Sequence, residues 1–189
     1  MGACGASALR LVNGTPDVVV SSITHDSRQV RVGTLFCCIK GEKFDGHEFA
    51  AAAVERGAAA LLVQRELVDI PLDIPQIVVD DSRGCVGFVA TELYENPSGH
   101  LSLVGITGTN GKTTVATLLF KLFKGLGYTC GLISTVENHI ADTIVPATHT
   151  TPDAVQLNAL LDKMVQAGCT HVFMEVSSHA IHQHRVTGL

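Results

Sequence analysis

The sequence has no tryptophan, only two tyrosines and no cluster of basic residues, and its formal net charge is −5. Nucleic-acid-binding proteins use the opposite features, a basic surface with aromatic stacking platforms. No apolar run approaches the roughly 18 residues of a membrane-spanning helix. The N-terminus, MGACGASALR, also lacks the basic leader and long apolar core of a secretory signal. We therefore expect no nucleic-acid partner and no membrane segment.

The cysteines form no recognisable metal or redox motif. No C-x-x-C motif occurs, and several cysteines sit in apolar runs, where a free thiol behaves as a small hydrophobic side chain. These features predict reduced thiols in a cytoplasmic protein. The six cysteines are Cys4, Cys37, Cys38, Cys85, Cys130 and Cys169.

What the chain does contain is enough apolar sequence for a packed core. Hydrophobic residues make up 46% of the 189 residues and charged residues 16%, which excludes a disordered chain. The length leaves room for one large or two small domains.

The most informative stretch is LSLVGITGTNGKTT, residues Leu101–Thr114. A run of β-formers leads into a glycine-rich turn, and a helix is predicted from Thr114 onward. Glycines let a turn aim several backbone N–H groups at one anion, and a helix N-terminus adds partial positive charge there. The order of strand, turn, Lys-Thr and helix predicts a phosphate-binding loop for a nucleoside triphosphate.

The spacing of this loop is not the usual one. A common phosphate-binding loop has four residues between its first glycine and the Gly-Lys pair, whereas five residues separate Gly105 from Gly111 and two separate Gly108 from it. The shorter form GTNGKTT remains. The alternative is a glycine-rich turn with a surface lysine, and the flanking strand and helix favour the phosphate loop.

Three side chains carry the predicted chemistry. Lys112 can neutralise the β- and γ-phosphates, and the Thr113 hydroxyl can bind Mg²⁺. Glu175 ends an apolar strand downstream, where a carboxylate can reach the same ion. Otherwise Glu175 is an ordinary acid at the end of a strand.

Strand and helix signals before the linker Asn96–Gly99 predict an independent α/β domain over residues 1–98. The predicted strands are Val18–Ile23, Leu35–Ile39, Ala58–Val63 and Gln76–Val79, and the predicted helices are His47–Arg56 and Arg83–Tyr94.

From residue 99 strands alternate with helices, which predicts a parallel-sheet P-loop domain. Only three strands are visible there, so we expect an incomplete sheet whose last strand presents an unpaired edge. The strands are the one at Leu101, Tyr128–Thr135 and His171–Val176; the helices are Val115–Leu126 and Pro152–Ala167, the latter with Thr151 as N-cap.

Polar clusters follow two of these elements. Ser177-Ser178-His179 and His182–Arg185 come after the last strand; they fit neither a G-x-S-x-G nucleophile elbow nor an H-E-x-x-H metal motif, which favours polar contacts to a substrate. His149–Pro152 is either a helix cap or a further contact. In the first domain, Asp26–Arg28 and Asp45–His47 flank the second strand.

Together these motifs resemble the Mur ligases. GTNGKTT, HTTPD and MEVSSHA…QHR, preceded by DSR, G-x-LF and DGH-x-F, carry the resemblance from about Ile23 to Leu189. GTNGKTT alone would also fit folylpolyglutamate synthetases, which are not expected to carry the other motifs.

The resemblance implies ATP and Mg²⁺ as cofactors, and UDP-MurNAc-L-Ala-D-Glu and a diamino acid (L-lysine or meso-diaminopimelate) as substrates. It places ATP on Gly108, Thr109, Asn110, Gly111, Lys112, Thr113 and Thr114, with Lys112 and Glu175 catalytic and Thr113 and Glu175 at the metal. It places the UDP-linked substrate on Ser27, Glu42, Lys43, Phe44, Thr150, Thr151, Ser177, Gln183 and Arg185.

The family's carbamylated lysine, its D-H-x-D-x-H segment and its amino-acid-selecting domain have no counterpart in the sequence, so we expect the 189-residue chain alone to be inactive. We also expect a monomer. Two other functions remain open. One is a non-catalytic module that binds a nucleotide or UDP-linked precursor. The other is a different P-loop enzyme, although a GTPase would need N-K-x-D, which the sequence lacks.

Overall fold

The computed structural model describes residues 9–41, 44–147 and 149–189. The chain divides into two compact units, Met1–Val89 and Ala90–Leu189. Each unit contains one five-stranded sheet with helices packed on it, so the α/β fold class is confirmed.

The sheet of the first unit has the order β1-β5-β4-β3-β2. Strands β2 to β5 are parallel, and β1 pairs antiparallel with β5 at the edge. The strands are β1 (Arg10–Val12), β2 (Ser22–Thr24), β3 (Thr34–Cys37), β4 (Ala58–Val63) and β5 (Gln76–Val78).

Two helices accompany this sheet. A 3₁₀ turn, Gly46–Phe49, leads into α1 (Ala50–Glu55), and α2 (Ser82–Leu93) follows β5. The small residues Ala50 and Ala53 let α1 pack closely on the core around Phe36 and Leu61.

The predicted bounds of β4 are confirmed, since Ala58–Val63 is one apolar run that ends at polar residues. The prediction for β2 is wrong at its start: the strand begins at Ser22 rather than Val18. The edge strand β1 was not predicted, because its three residues carry no alternating pattern.

The sheet of the second unit has the order β6-β10-β7-β8-β9. Strand β10 runs parallel to both β6 and β7, while β8 and β9 add an antiparallel hairpin. The strands are β6 (Ser102–Ile106), β7 (Cys130–Ile133), β8 (Glu137–Ile140), β9 (Thr143–Pro146) and β10 (His171–Glu175). The helices are α3 (Lys112–Gly125), α4 (Ala154–Gln166) and α5 (Ser178–His182).

Two predictions about this sheet are wrong. Within the described residues it has five strands instead of three, and β8 pairs antiparallel with both β7 and β9. The last strand, β10, is also not an unpaired edge, because it lies between β6 and β7. Strand order in a sheet built by crossovers does not follow chain order, so the last strand along the chain can be central.

Strand β10 separates two layers of core. Val172 and Met174 pack with residues of α4, including Leu157 and Leu161. Phe173 faces the other way, into a cluster with residues of α3. This alternation follows from the two-residue period of a strand, and it fixes the C-terminal end of β10 between the two helices. None of the helices in the described ranges is long and apolar enough to cross a bilayer.

Candidate functional site

The turn between β6 and α3 has the shape that a phosphate-binding loop requires. Gly108 has φ +145° and Gly111 has φ +83°, both in the region that favours glycine. A Cβ atom would meet only Asn110 O, at 3.6 Å, at Gly108 and nothing within 4 Å at Gly111. The glycines are therefore needed for backbone conformation and not for space.

Lys112 lies at the start of α3 and folds back over this turn. Its Nζ donates to Gly108 O (2.7 Å) and to Thr109 O (3.4 Å). The helix begins at Lys112, so the predicted start at Thr114 is wrong by two residues. The positive end of this 14-residue helix therefore lies directly at the turn, where it favours an anion.

Thr113 and Glu175, distant in sequence, meet at the base of this turn. Thr113 Oγ1 donates to Glu175 Oε2 at 2.9 Å. Thr135 donates twice to the same carboxylate, from its backbone N–H to Oε1 (2.8 Å) and from its hydroxyl to Oε2 (3.3 Å). The Glu175 residue is only 1% exposed.

The donors that the described residues offer to the Glu175 carboxylate are neutral. No lysine or arginine in the described part of the chain forms an ion pair with it. A buried carboxylate without a cation is electrostatically expensive. Since a hydroxyl and a carboxylate are oxygen ligands that Mg²⁺ accepts, these residues fit a magnesium ion shared with nucleotide phosphates.

The sheet explains why these residues meet. In the parallel registers Glu175 lies beside Ile106 and Met174 beside Ile133. The chain segments that follow β6, β7 and β10 therefore leave the sheet at one edge. Ligands of α/β proteins bind at this carboxyl edge.

Thr151 is buried beneath the same edge. Its hydroxyl donates to Glu175 O (2.8 Å) and accepts from Ser177 N (3.2 Å). The prediction that Thr151 caps the following helix is wrong: Asp153 is the N-cap, accepting from Val155 N at 3.0 Å and from the next backbone N–H. Thr151 cannot cap because its hydroxyl is already engaged with β10.

The predicted substrate residues after β10 also lie beside Thr151. Arg185 donates to Thr151 O (2.7 Å) and, from Nε and Nη2, to Gln183 Oε1. Ser177 accepts from Ala180 N (3.1 Å) and caps α5. No carboxylate in the described ranges pairs with Arg185, so its charge is available to an anionic ligand.

The remaining predicted substrate residues belong to the first unit. Ser27 lies in a 3₁₀ turn, where its carbonyl accepts from Arg56 Nη1 (2.8 Å). Phe44 is 69% exposed. Glu42 and Lys43 lie outside the described residues. The substrate role of all four stays a prediction.

His47 of the first unit is buried, and the sequence alone predicts no role for it. His47 Nε2 accepts from Gln64 N (3.0 Å), so the ring is neutral and its Nδ1–H donates to Asp45 Oδ1. Arg65 donates to Asp45 Oδ2 at 3.2 Å. The hydrogen bonds from His47, with a smaller contribution from Arg65, lower the pKa of Asp45 to about 2.

Sequence reasoning also missed Thr135. The predicted strand Tyr128–Thr135 includes it, but the strand ends at Ile133 and Thr135 lies in the turn that follows. A polar residue directly after a predicted parallel strand was the available signal.

No group of three or more His, Cys, Asp or Glu side chains in the described ranges could hold a metal ion. A cation held by the oxygen pair of Thr113 and Glu175 would therefore require further ligands from phosphate and water.

Comparison with known proteins supports one family for both units. Residues 19–86 match the family model "Mur ligase family, catalytic domain", and residues 106–189 match "Mur ligase middle domain". The chain is 53% identical over 180 residues to a UDP-N-acetylmuramoyl-L-alanyl-D-glutamate–2,6-diaminopimelate ligase of Cytophaga hutchinsonii, and 49% identical over 178 residues to the same-named protein of Bacteroides fragilis. Each alignment covers 94% of this chain and 37% of the relative.

Solved structures agree. A ligase of the same name superposes with a TM-score of 0.77 at 28% identity, covering 90% of this chain and 34% of that protein. The MurF ligase of Thermotoga maritima, solved in complex with ADP, superposes with a TM-score of 0.54 at 24% identity, over 87% of this chain and 34% of its own, and supports the fold alone. Models of one family match both units, and a relative of that family aligns with 94% of the chain. The chain therefore belongs to the Mur ligases.

Proposed function

We propose that this chain forms the UDP-substrate-binding and ATP-binding parts of a ligase that adds meso-diaminopimelate to UDP-MurNAc-L-Ala-D-Glu. Residues 1–98 are the proposed UDP-substrate domain and residues 99–189 the proposed P-loop domain. The chain spans about 37% of the length of the curated relatives it matches. Diaminopimelate is favoured over lysine because those relatives are named for it.

The observation that carries the proposal is the Thr113–Glu175 hydrogen bond at the base of the glycine turn. This hydrogen bond places the buried Glu175 carboxylate next to the N-terminus of α3, where Lys112 lies. Bound Mg²⁺-ATP would supply the phosphoryl group that converts the D-Glu carboxylate into an acyl phosphate, from which the diamino acid's amine displaces phosphate.

The residues of this chain would position the reactants. Lys112 would exchange its bonds to Gly108 O and Thr109 O for phosphate oxygens, which are stronger acceptors because they are charged. Thr113 and Glu175 would hold the magnesium ion. Arg185, fixed by Gln183, would pair with an anionic group of the substrate. Phosphoryl transfer depends mainly on such positioning and charge neutralisation.

Oligomeric state and location are also proposals. We infer a cytoplasmic location, supported by five buried free thiols among the described residues and by the cytosolic use of reduced cysteine. That the protein is a monomer stays an expectation.

The test is ADP release by the complete ligase that carries this sequence, measured with UDP-MurNAc-L-Ala-D-Glu and with diaminopimelate or lysine. We expect ADP only when the nucleotide-sugar dipeptide and diaminopimelate are both present. Lys112→Ala should lower kcat/KM by about 100-fold or more, because phosphate charge is no longer neutralised.

Lys121→Ala, an exposed lysine on the same helix, is the matched control and should retain activity. Turnover that survives Lys112→Ala would contradict the phosphate-loop assignment. Binding of UDP-MurNAc-L-Ala-D-Glu without turnover on either amino acid would favour a non-catalytic binding module.

A further inference from the structure

Thr135 lies between the two halves of the proposed site. Its hydroxyl is 3.3 Å from Glu175 Oε2, at the proposed metal, and 3.1 Å from Thr150 Oγ1, in the proposed substrate segment. Its backbone N–H separately holds Glu175 Oε1 at 2.8 Å. One residue therefore contacts both the carboxylate and the substrate segment.

The turn that carries Thr135 is held by its own hydrogen bonds. Ser134 Oγ donates to Glu137 O (2.7 Å) and accepts from Val136 N and Glu137 N, both at 3.3 Å. The buried Asn138 side chain accepts from Ser134 N (3.2 Å). Because these contacts lie within the turn, the position of Thr135 is set without any ligand.

The Thr135 hydroxyl has one proton for two acceptors. A hydroxyl donates a single hydrogen bond, so it serves either Glu175 or Thr150 at one time. When a cation neutralises the Glu175 carboxylate, that acceptor weakens, and the proton is better placed on Thr150 Oγ1. Thr150 is then free to direct its own hydroxyl proton outward.

We propose that Thr135 is a positioning residue that couples the Mg²⁺-nucleotide site at Glu175 to the substrate segment at Thr150, so that nucleotide and UDP-linked substrate favour each other's binding. This inference rests on the proposed function. Coupling through one neutral hydrogen bond corresponds to a factor of about three to ten in affinity.

The test compares nucleotide affinity with and without substrate. The affinity of the complete ligase for Mg²⁺-AMP-PNP is measured by calorimetry, first without substrate and then with saturating UDP-MurNAc-L-Ala-D-Glu. In the wild type we expect the substrate to tighten nucleotide binding by about threefold to tenfold. Thr135→Val should bring this ratio to about one while changing affinity for the nucleotide alone by less than about threefold, because the backbone N–H to Glu175 remains.

Two further variants separate the hydroxyl from packing. Thr135→Ser restores the hydroxyl and should restore the coupling. Thr143→Val, the same change at an exposed threonine of β9, should leave it at the wild-type value. Thermal unfolding of each variant without ligand reports on folding and should be unchanged for Thr135→Ser.

The possible outcomes are distinct. A wild-type ratio retained in Thr135→Val, or one that Thr135→Ser fails to restore, overturns the inference. A wild type that binds both ligands without coupling also overturns it and leaves the proposed function intact. A wild type that binds neither ligand overturns the proposed function itself, and with it the inference.

Discussion

The two units treat a carboxylate in opposite ways. In the first unit, Asp45 accepts from the neutral ring of His47 and from the guanidinium of Arg65. In the second unit, Glu175 is almost completely buried, and its hydrogen-bond donors among the described residues are the neutral groups of Thr113 and Thr135. Within the described ranges, Asp45 has a cationic partner in Arg65 and Glu175 has none.

We propose that this difference distinguishes a structural cluster at Asp45 from a ligand site at Glu175. The pKa of Asp45 is held at about 2 because the folded state supplies the donors that its charge requires. Glu175 is buried without a cationic partner among the described residues, and a ligand cation would supply that partner. Uncompensated charge at a carboxyl edge is therefore a better indication of function here than burial or proximity of polar groups alone.

The arginines show the same contrast. Arg28 and Arg65 of the first unit form ion pairs with aspartates. Arg185 of the second unit donates, within the part of the chain that the structure describes, to uncharged oxygens of Thr151 and Gln183. Among the described residues of the second unit, neither the Glu175 carboxylate nor the Arg185 guanidinium forms an ion pair.

The largest loss of stability is expected from Thr151→Val, which keeps the side-chain shape and removes a buried hydroxyl. Ser177 N–H loses its acceptor and Glu175 O loses a donor, so the free energy of unfolding should fall by about 1–3 kcal/mol. Urea unfolding followed by circular dichroism measures this change. Thr143→Val on exposed β9 is the control, and an equal effect of both variants would show that the Thr151 hydroxyl contributes nothing specific.

A somewhat smaller, pH-dependent loss is expected from Asp45→Asn. The folded-state pKa of Asp45 lies below the ordinary 3.8, at about 2, so its charge stabilises the fold fully above pH 4 and progressively less as pH falls toward 2. At pH 7 the loss should be about 1–2 kcal/mol. Unfolding measured between pH 7 and pH 2 should show the wild type and variant converging; a constant difference would contradict the charge argument. Asp69→Asn, at an exposed aspartate, is the control.

The smallest effect, of opposite sign, is expected from Glu175→Gln in the absence of ligand. The amide can still accept from Thr135 N and engage the Thr113 hydroxyl, while the cost of burying a charge disappears. The free energy of unfolding should stay the same or rise by up to about 1 kcal/mol. A marked loss of stability, comparable with that of Thr151→Val, would mean that the Glu175 charge is balanced inside the protein after all.

Local patterns in the sequence were sufficient for the central part of the site. The glycine turn, Lys112 and Glu175 were predicted because a strand, a turn and a strand end are each short and contiguous. The hairpin of β8 and β9 was missed, since Glu137–Ile140 mixes charged, polar and apolar residues and its polar Asn138 is buried. Its pairing with β7 depends on the rest of the sheet.

The cap of α4 and the role of His47 illustrate what local reasoning cannot reach. Thr151 and Asp153 are both good N-cap residues, and the choice between them depends on the contact of Thr151 with β10. The tautomer of His47 is set by Gln64, 17 residues away. Each of these features depends on contacts that form only in the folded chain.

The most direct test of the account is the magnesium dependence of nucleotide binding. The affinity of wild type and Glu175→Gln for AMP-PNP is measured by calorimetry with Mg²⁺ and with EDTA. We predict that Mg²⁺ tightens binding to the wild type by at least about tenfold and has little effect on Glu175→Gln, because the uncompensated carboxylate is the protein's main attraction for the ion. Equal magnesium dependence in the two proteins would contradict the assignment of Glu175 and the contrast between the two units.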